Sequence, residues 1–213
     1  MTCSSSLTED LTPLVLDTSV LINLHACGFG EQVLAAIPND ILVPDIAIRE
    51  LGHETSKSNG EHQFLEGLIA QKQIKSVPLD DLAWGIFEKL TIATPSLGDG
   101  EAATIAVAAR QGLLPVIDDG KGRSQAMKII EDKHPAWSLD LLVHPHVQDV
   151  LASGQYIEAI HLALREGRMR IDDERCDAVV KLIGVERAVH CTSLPNFRKK
   201  QLMWEAIINL KSM

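Results

Sequence analysis

Apolar residues follow two rhythms along this chain. Short unbroken runs, Pro13-Leu14-Val15-Leu16, Ile41-Leu42-Val43-Pro44 and Leu113-Leu114-Pro115-Val116-Ile117, have the form of strands buried on both faces. Between them, apolar positions recur at helical spacing. Val20, Leu21, Leu24 and Ala26 make a short helix, and Phe29–Ile37 makes a second one closed by Pro38. Asp45 caps a helix that holds Glu50, Glu61–Gln71 forms an amphipathic helix, and Asp80-Asp81 cap another through Leu90. Ala102, Ile105, Ala106 and Ala109 outline a helix that Gly112 stops. Ile74–Val77 is a further short strand. A helix is expected over Ala126–Lys133, and a last strand over Ala136–Leu139. Strand and helix alternate with connections long enough for crossovers, which predicts a three-layer α/β/α sandwich on a mainly parallel sheet.

From Leu141 onward the strands stop. Asp149–Ala152, Gln155–Arg165, Asp172–Ile183 and Asn196–Leu210 read as helices separated by Gly154, Gly167 and a loop holding Pro195. The expected division is therefore an α/β domain over residues 1–143 and a helical C-terminal extension over 144–213. In the last helix Met203, Ala206, Ile207 and Leu210 form a stripe opposite Arg198, Lys199, Lys200 and Lys211, predicted to pack on the domain or on a second subunit.

Composition narrows the classes. With 46% hydrophobic and 23% charged residues in 213, the chain is an ordinary globule rather than a disordered one. A net charge of −9 argues against a broad basic surface that coats nucleic acid, but not against a nuclease whose metal site is itself acidic. No run approaches the roughly 18 apolar residues of a membrane span, and the start lacks a signal-peptide pattern, so a cytoplasmic protein with no membrane partner is expected. Cys3, Cys27, Cys176 and Cys191 are scattered without a CxxC pair, which speaks for reduced thiols. His144 and His146 flank a proline with no partner at ligand spacing and read as structural or solvated.

The acids carry the chemistry. Asp17 ends the first strand, Glu50 lies just past the second, Asp99 and Glu101 open the alanine-rich helix, and Asp118 and Asp119 follow the strand after it. In a parallel sheet the carboxyl ends of strands line the ligand crevice. Any one of these acids could be a helix cap or turn residue, but carboxylates from four segments converging there would repel one another unless a cation neutralised them. Oxygen-only ligands favour Mg²⁺ or Mn²⁺. An aspartyl-nucleophile phosphatase would want a second Asp where Ser19 stands. Gly98 and Gly100 lack the third glycine of a dinucleotide site, and Gly120–Ser124 lacks the upstream glycine of a P-loop.

Four motifs in order, Leu14–Leu24, Val43–Leu51, Gly98–Ala102 and Val116–Asp119, resemble those of PIN-domain proteins. The match is nearest to a branch related to the VapC-like toxins that carries a GE pair at the third motif, and the likeness runs over residues 13 to 183. The resemblance implies a Rossmann-like fold and a metal-dependent ribonuclease, a hydrolase whose four acids map to Asp17, Glu50, Glu101 and Asp118. Asp119 and Asp99 would be auxiliary ligands, and Thr18 or Ser19 the hydroxyl that assists Asp17. One or two Mg²⁺ or Mn²⁺ ions would activate water for attack on RNA. Lys121, Arg123 and Lys128 are the nearest candidates for phosphate contacts. A small antitoxin protein and a homo-oligomer are the expected partners; the alternative is a catalytically silent PIN-like module that binds RNA or protein.

Overall fold

The computed structural model describes residues 3–130 and 133–211. The chain runs β1 (Leu14–Leu16), α1 (Thr18–Ala26), α2 (Gly30–Ala36), β2 (Ile41–Pro44), α3 (Asp45–Glu50) and α4 (Glu54–Ser58). It continues through α5 (Glu61–Ala70), β3 (Lys75–Val77), α6 (Asp81–Ala93), α7 (Asp99–Gln111), β4 (Leu114–Val116) and α8 (Gly120–Ile129). The remaining elements are all helical: α9 (Ser138–Leu142), α10 (Pro145–Val150), α11 (Ser153–Arg165), α12 (Asp173–Ile183), α13 (Val185–Ala188) and α14 (Phe197–Lys211).

Among the described residues four strands form one sheet in the order β3-β2-β1-β4, with every pairing parallel. The chain therefore steps outward from β1 to β2 and β3, then crosses to the other side of β1 for β4. That reversal is a topological switch point, where parallel α/β sheets open a crevice at the carboxyl ends of the strands. The strand alternation divides the core. Leu14 and Leu16 face a large cluster with Leu21, Leu24, Leu65, Leu139, Ile160 and Val179, whereas Val15 faces Val107, Ala108 and Leu113 on the opposite side. Helices thus cover both faces, giving the α/β/α sandwich that the pattern predicts.

Alanines let α7 lie close to β1, β2 and β4, and its end comes at Gly112, whose φ of 66° is a left-handed stop that an L side chain resists. Residues of α11 and α12, beyond residue 143, share the first core cluster with β1 and α1.

Several elements depart from the expectations. Ala136 makes only a single parallel bridge to Val116, and α9 begins two residues later, so Ala136–Leu139 is not a strand. The cause is local: Ala136 N–H donates to Pro115 O and Ile117 N–H to Ala136 O, but the next donor, Ser138 N–H, goes to Asp118 Oδ1 while Arg123 takes Ile117 O, and Ser138 opens α9. Helix α8 starts at Gly120 rather than Ala126, because the Asp119 side chain caps it through Lys121 N–H and Gly122 N–H. Residues 131–132, near the expected end at Lys133, lie outside the described residues. The helix placed at Asp149–Ala152 is α10, which begins at Pro145, a residue suited to a first helical turn. Pro44 occupies the N-cap of α3, and Asp45 is its first residue.

In α14, among the described side chains, Trp204 is the buried one, 2% exposed and edge-on to Phe197, while Met203, Ala206 and Leu210 of the expected stripe are exposed and Ile207 is half-buried. The large indole outside the stripe takes the packing position. Among the described residues no helix is long and apolar enough to cross a membrane.

Candidate active site at the carboxyl ends of β1 and β4

Register fixes the first two acids. Leu16 pairs with Val116 across β1 and β4, and Asp17 N–H donates to Val116 O at 3.3 Å. Asp17 and Asp118 thus leave neighbouring strands at the switch point, and both are buried. Asp17 caps α1, where Oδ2 accepts from Ser19 Oγ at 2.6 Å and from Ser19 N–H at 3.3 Å. Asp118 is held from two sides: Oδ1 accepts from Ser138 N–H and Oδ2 from Asn23 Nδ2, each at 2.7 Å. Asn23 also reaches Ser138 Oγ at 3.3 Å.

Glu101 sits in the first turn of α7, where Oε2 accepts from Gly98 N–H at 3.1 Å, one half of a capping box. Its Oε1 has no hydrogen bond among the described residues. Glu50, the last residue of α3, accepts from the Thr18 hydroxyl and from Gly100 N–H at 2.9 Å. The two hydroxyls of the first motif therefore divide their work: Ser19 serves Asp17, and Thr18 serves Glu50. A Cβ on Gly100 would lie 2.4 Å from Glu50 Oε2 and 2.4 Å from Thr18 Oγ1, so only glycine at 100 leaves room for this arrangement.

Electrostatics tie the acids together. Burial pushes Asp17 up to about 6, against the hydrogen bonds of Ser19, with Glu50 adding to the rise. Burial likewise lifts Asp118 to about 6, opposed by Ser138 and reinforced by Asp17. Glu101 rises to about 7 through burial, then the charges of Asp17 and Asp119, with Gly98 N–H and Arg170 opposing. Asp119 goes the other way. Burial acts to raise it, yet Lys121 N–H, Gly122 N–H and the Arg170 guanidinium, with which it forms an ion pair, hold it below the usual range.

A cavity of about 260 Å³ opens here, lined by Glu101, Asp118, Asp119, Asn23, Arg168 and Arg170, with Ser19 and Gly167 completing the wall. Asp99 is exposed at the start of α7 and makes no hydrogen bond or ion pair among the described residues. Neither Asp17, which is buried beneath Ser19, nor Glu50, which stands behind Gly100, lines the cavity. Of the cationic candidates, Lys121 is exposed and donates to Ser96 Oγ at 3.3 Å, and Lys128 is exposed in the last turn of α8. The guanidinium of Arg123 donates to Ile117 O, Ala136 O and Pro135 O and lies 3.7 Å over the Trp137 ring. It braces the end of β4.

Asn23, Ser138 and the loop arginines were not singled out by the sequence as site residues. Asn23 stands in the first motif, six residues past Asp17, and that spacing was the available signal.

Among the described residues no group of three or more His, Cys, Asp or Glu side chains is arranged as a metal-binding cluster. The donor set nevertheless suits a hard divalent cation: the buried Asp17 and Asp118 and the half-buried Glu101, whose pKa values are raised first by burial and further by neighbouring carboxylates, with an oxygen of Glu101 that has no hydrogen bond among the described residues. A family model described as a PIN domain matches residues 13–185. Neither the curated proteins nor the solved structures contain a match.

Proposed function

The chain belongs to the PIN-domain family, and from that premise we propose that it is a ribonuclease dependent on Mg²⁺ or Mn²⁺ that hydrolyses phosphodiester bonds of single-stranded or structured RNA. PIN domains are nucleases in general; metal, substrate and biological role are our reading. The observation that carries it is the juxtaposition of Asp17 and Asp118 beyond adjacent strands at the switch point, with Glu101 near enough for the Asp17 charge to add to the rise in its pKa that burial causes.

In this reading Asp17, Glu101 and Asp118 hold the cation, with Asp119 available as a further ligand. The bound ion would supply an activated water and neutralise charge on the phosphate. The chain's own contribution is preorganisation. Ser19 orients Asp17, while Asn23 and Ser138 clamp both oxygens of Asp118. Thr18 and Gly100 fix Glu50 behind Asp17, where its charge favours cation binding over an empty site. Water adds to phosphorus and the 3′ oxygen leaves with a proton, giving 5′-phosphate and 3′-hydroxyl ends.

The Gly100-Glu101 pair supports placement in the branch related to VapC-like toxins. We accordingly propose a cytoplasmic toxin restrained by a small antitoxin, whose basic side chain would enter the acidic cleft. Cleavage of a labelled oligoribonucleotide with Mn²⁺ or Mg²⁺, against EDTA and Asp17→Asn controls, tests the nuclease. Undiminished cleavage in Asp17→Asn would overturn the site. Co-purification from the native host tests the toxin role separately; absence of a small companion, with harmless overexpression, would remove it.

A further inference from the structure

We propose that Arg168 and Arg170, on the loop between α11 and α12, bind the phosphates of the RNA strand on either side of the scissile bond. The proposal rests on the ribonuclease reading and adds to it the residues that hold the substrate.

The loop is built to present these two side chains. Met169 between them is fully buried, and its N–H donates to Ala163 O at 2.9 Å; Ile171, the next alternate residue, is buried as well. Arg168 and Arg170 are both exposed, so the buried residues pin the loop while the arginines emerge from it. Arg168 adopts φ 56°, a left-handed conformation that an L side chain takes at a cost and that persists where surrounding contacts enforce it.

The loop is also registered to the acids. A Cβ on Gly167 would fall 2.6 Å from Asn23 Oδ1 and 2.8 Å from Ala163 O, so the backbone at 167 lies directly against the Asn23 side chain whose Nδ2 holds Asp118. Both arginines line the same cavity as Glu101, Asp118 and Asp119. Arg170 is steered by its ion pair with Asp119, made through one terminal nitrogen, which leaves the other terminal nitrogen and Nε with donors. Arg168 makes no hydrogen bond or ion pair among the described residues.

Charge explains why such a pair is needed. A chain of net charge −9 with Glu101, Asp118 and Asp119 lining its cleft repels a polyanion, so productive binding requires cations beside the acids. Guanidinium is the group whose planar donors match phosphate in two-point contacts. Lys121, Arg123 and Lys128 do not line the cavity, and three of the Arg123 donors are spent on backbone carbonyls. A structural role for the Arg170–Asp119 pair alone would be worth little, since Arg170 is 61% exposed.

The test measures binding without cleavage. Anisotropy of a labelled single-stranded oligoribonucleotide is titrated in EDTA with full-length wild type, Arg168→Gln, Arg170→Gln, the double variant and Lys75→Gln, an exposed lysine at the amino end of β3, over a range of salt. Each arginine variant is expected to lose about five- to tenfold in affinity. The slope of log affinity against log salt should shrink by about 0.7 per arginine removed, with Lys75→Gln unchanged. In Mn²⁺ the same variants should raise KM more than they lower kcat, and Arg170→Lys should recover part of the loss.

Equal affinities and slopes across the series, or no RNA binding by wild type, would overturn the proposal. So would faster cleavage by Arg170→Gln at unchanged affinity, which would make Arg170 a brake on the acids. The ribonuclease reading fails differently: arginine-dependent binding would persist while wild type cleaved nothing in either metal. Wild-type cleavage with indifferent arginines would sink only the present inference.

Discussion

Gly100 and Glu50 share one contact in which neither could be replaced without moving the other: the Gly100 N–H donates to Glu50 Oε1 at 2.9 Å, and a Cβ at 100 would stand 2.4 Å from Oε2. Gly100→Ala should therefore act on function more than on folding. Alanine is favoured over glycine in a helix by about 1 kcal/mol, and the atom it displaces is the far end of a flexible side chain. We expect a melting temperature close to wild type, and cleavage reduced by on the order of 100-fold as Glu50 is driven off Thr18. Cleavage at the wild-type rate would show that Glu50 does not need this position.

Asn substitutions separate the two central aspartates. In Asp17→Asn the Ser19 hydroxyl can turn to accept, so the variant keeps its packing and loses a repelling charge; its stability without metal should equal or exceed wild type. In Asp118→Asn, by contrast, the new amide meets the Nδ2 donor of Asn23, or else the Asn23 amide must turn over. A loss of about 1–2 kcal/mol is expected there. Denaturant melts of both, beside exposed Asp149→Asn on α10 as control, check the order; Asp118→Asn as stable as Asp17→Asn would refute the clamp.

These raised acids also set a pH dependence. Asp17 and Asp118 at about 6, and Glu101 at about 7, hold their protons more tightly folded than unfolded. Their contribution to stability is complete below pH 4 and is lost as pH rises through 6 and 7. In EDTA the advantage of Asp17→Asn over wild type should therefore grow between pH 5 and pH 7.5. Mn²⁺ reverses the trend, because ligands must be deprotonated to bind it: the metal-induced rise in melting temperature should be small at pH 5 and large at pH 7.5. Equal metal stabilisation in wild type and Asp17→Asn would show that the acids do not form one site.

How much of this was legible in the sequence follows from where the information lies. Asp17 and Asp118 stand at the ends of unbroken apolar runs, and parallel pairing brings such ends together whatever the intervening chain does. Glu101 was legible as a first-turn acid, though capping and catalysis leave the same mark. Asn23, Ser138 and Arg170 act across 95, 20 and 51 positions respectively, distances over which no local pattern speaks. Helix α4 buries no side chain, so hydrophobic periodicity had nothing to register. The segment Ala136–Leu139 has the apolar look of a strand, but Ser138 N–H is taken by the Asp118 carboxylate 20 positions away, which no local pattern announces.

The exposed face of α14 leads to the last prediction. Leu202 is 74% exposed, Met203 54% and Leu210 75%, while Trp204 on the inner face is buried against Phe197. We propose that the outer face meets its equivalent on a second copy, since a two-fold interface is self-complementary by construction. Deleting the segment would be a poor test, because Leu194 and Trp204 belong to the main core and their loss would unfold the region. Met203→Glu with Leu210→Glu leaves that core untouched and places like charges face to face across a symmetric contact. Light scattering at micromolar concentration should then report a dimer for wild type and a monomer for the double variant, at an unchanged melting temperature extrapolated to low protein concentration. A wild-type monomer, or a dimer that survives both glutamates, would show that α14 is not the interface.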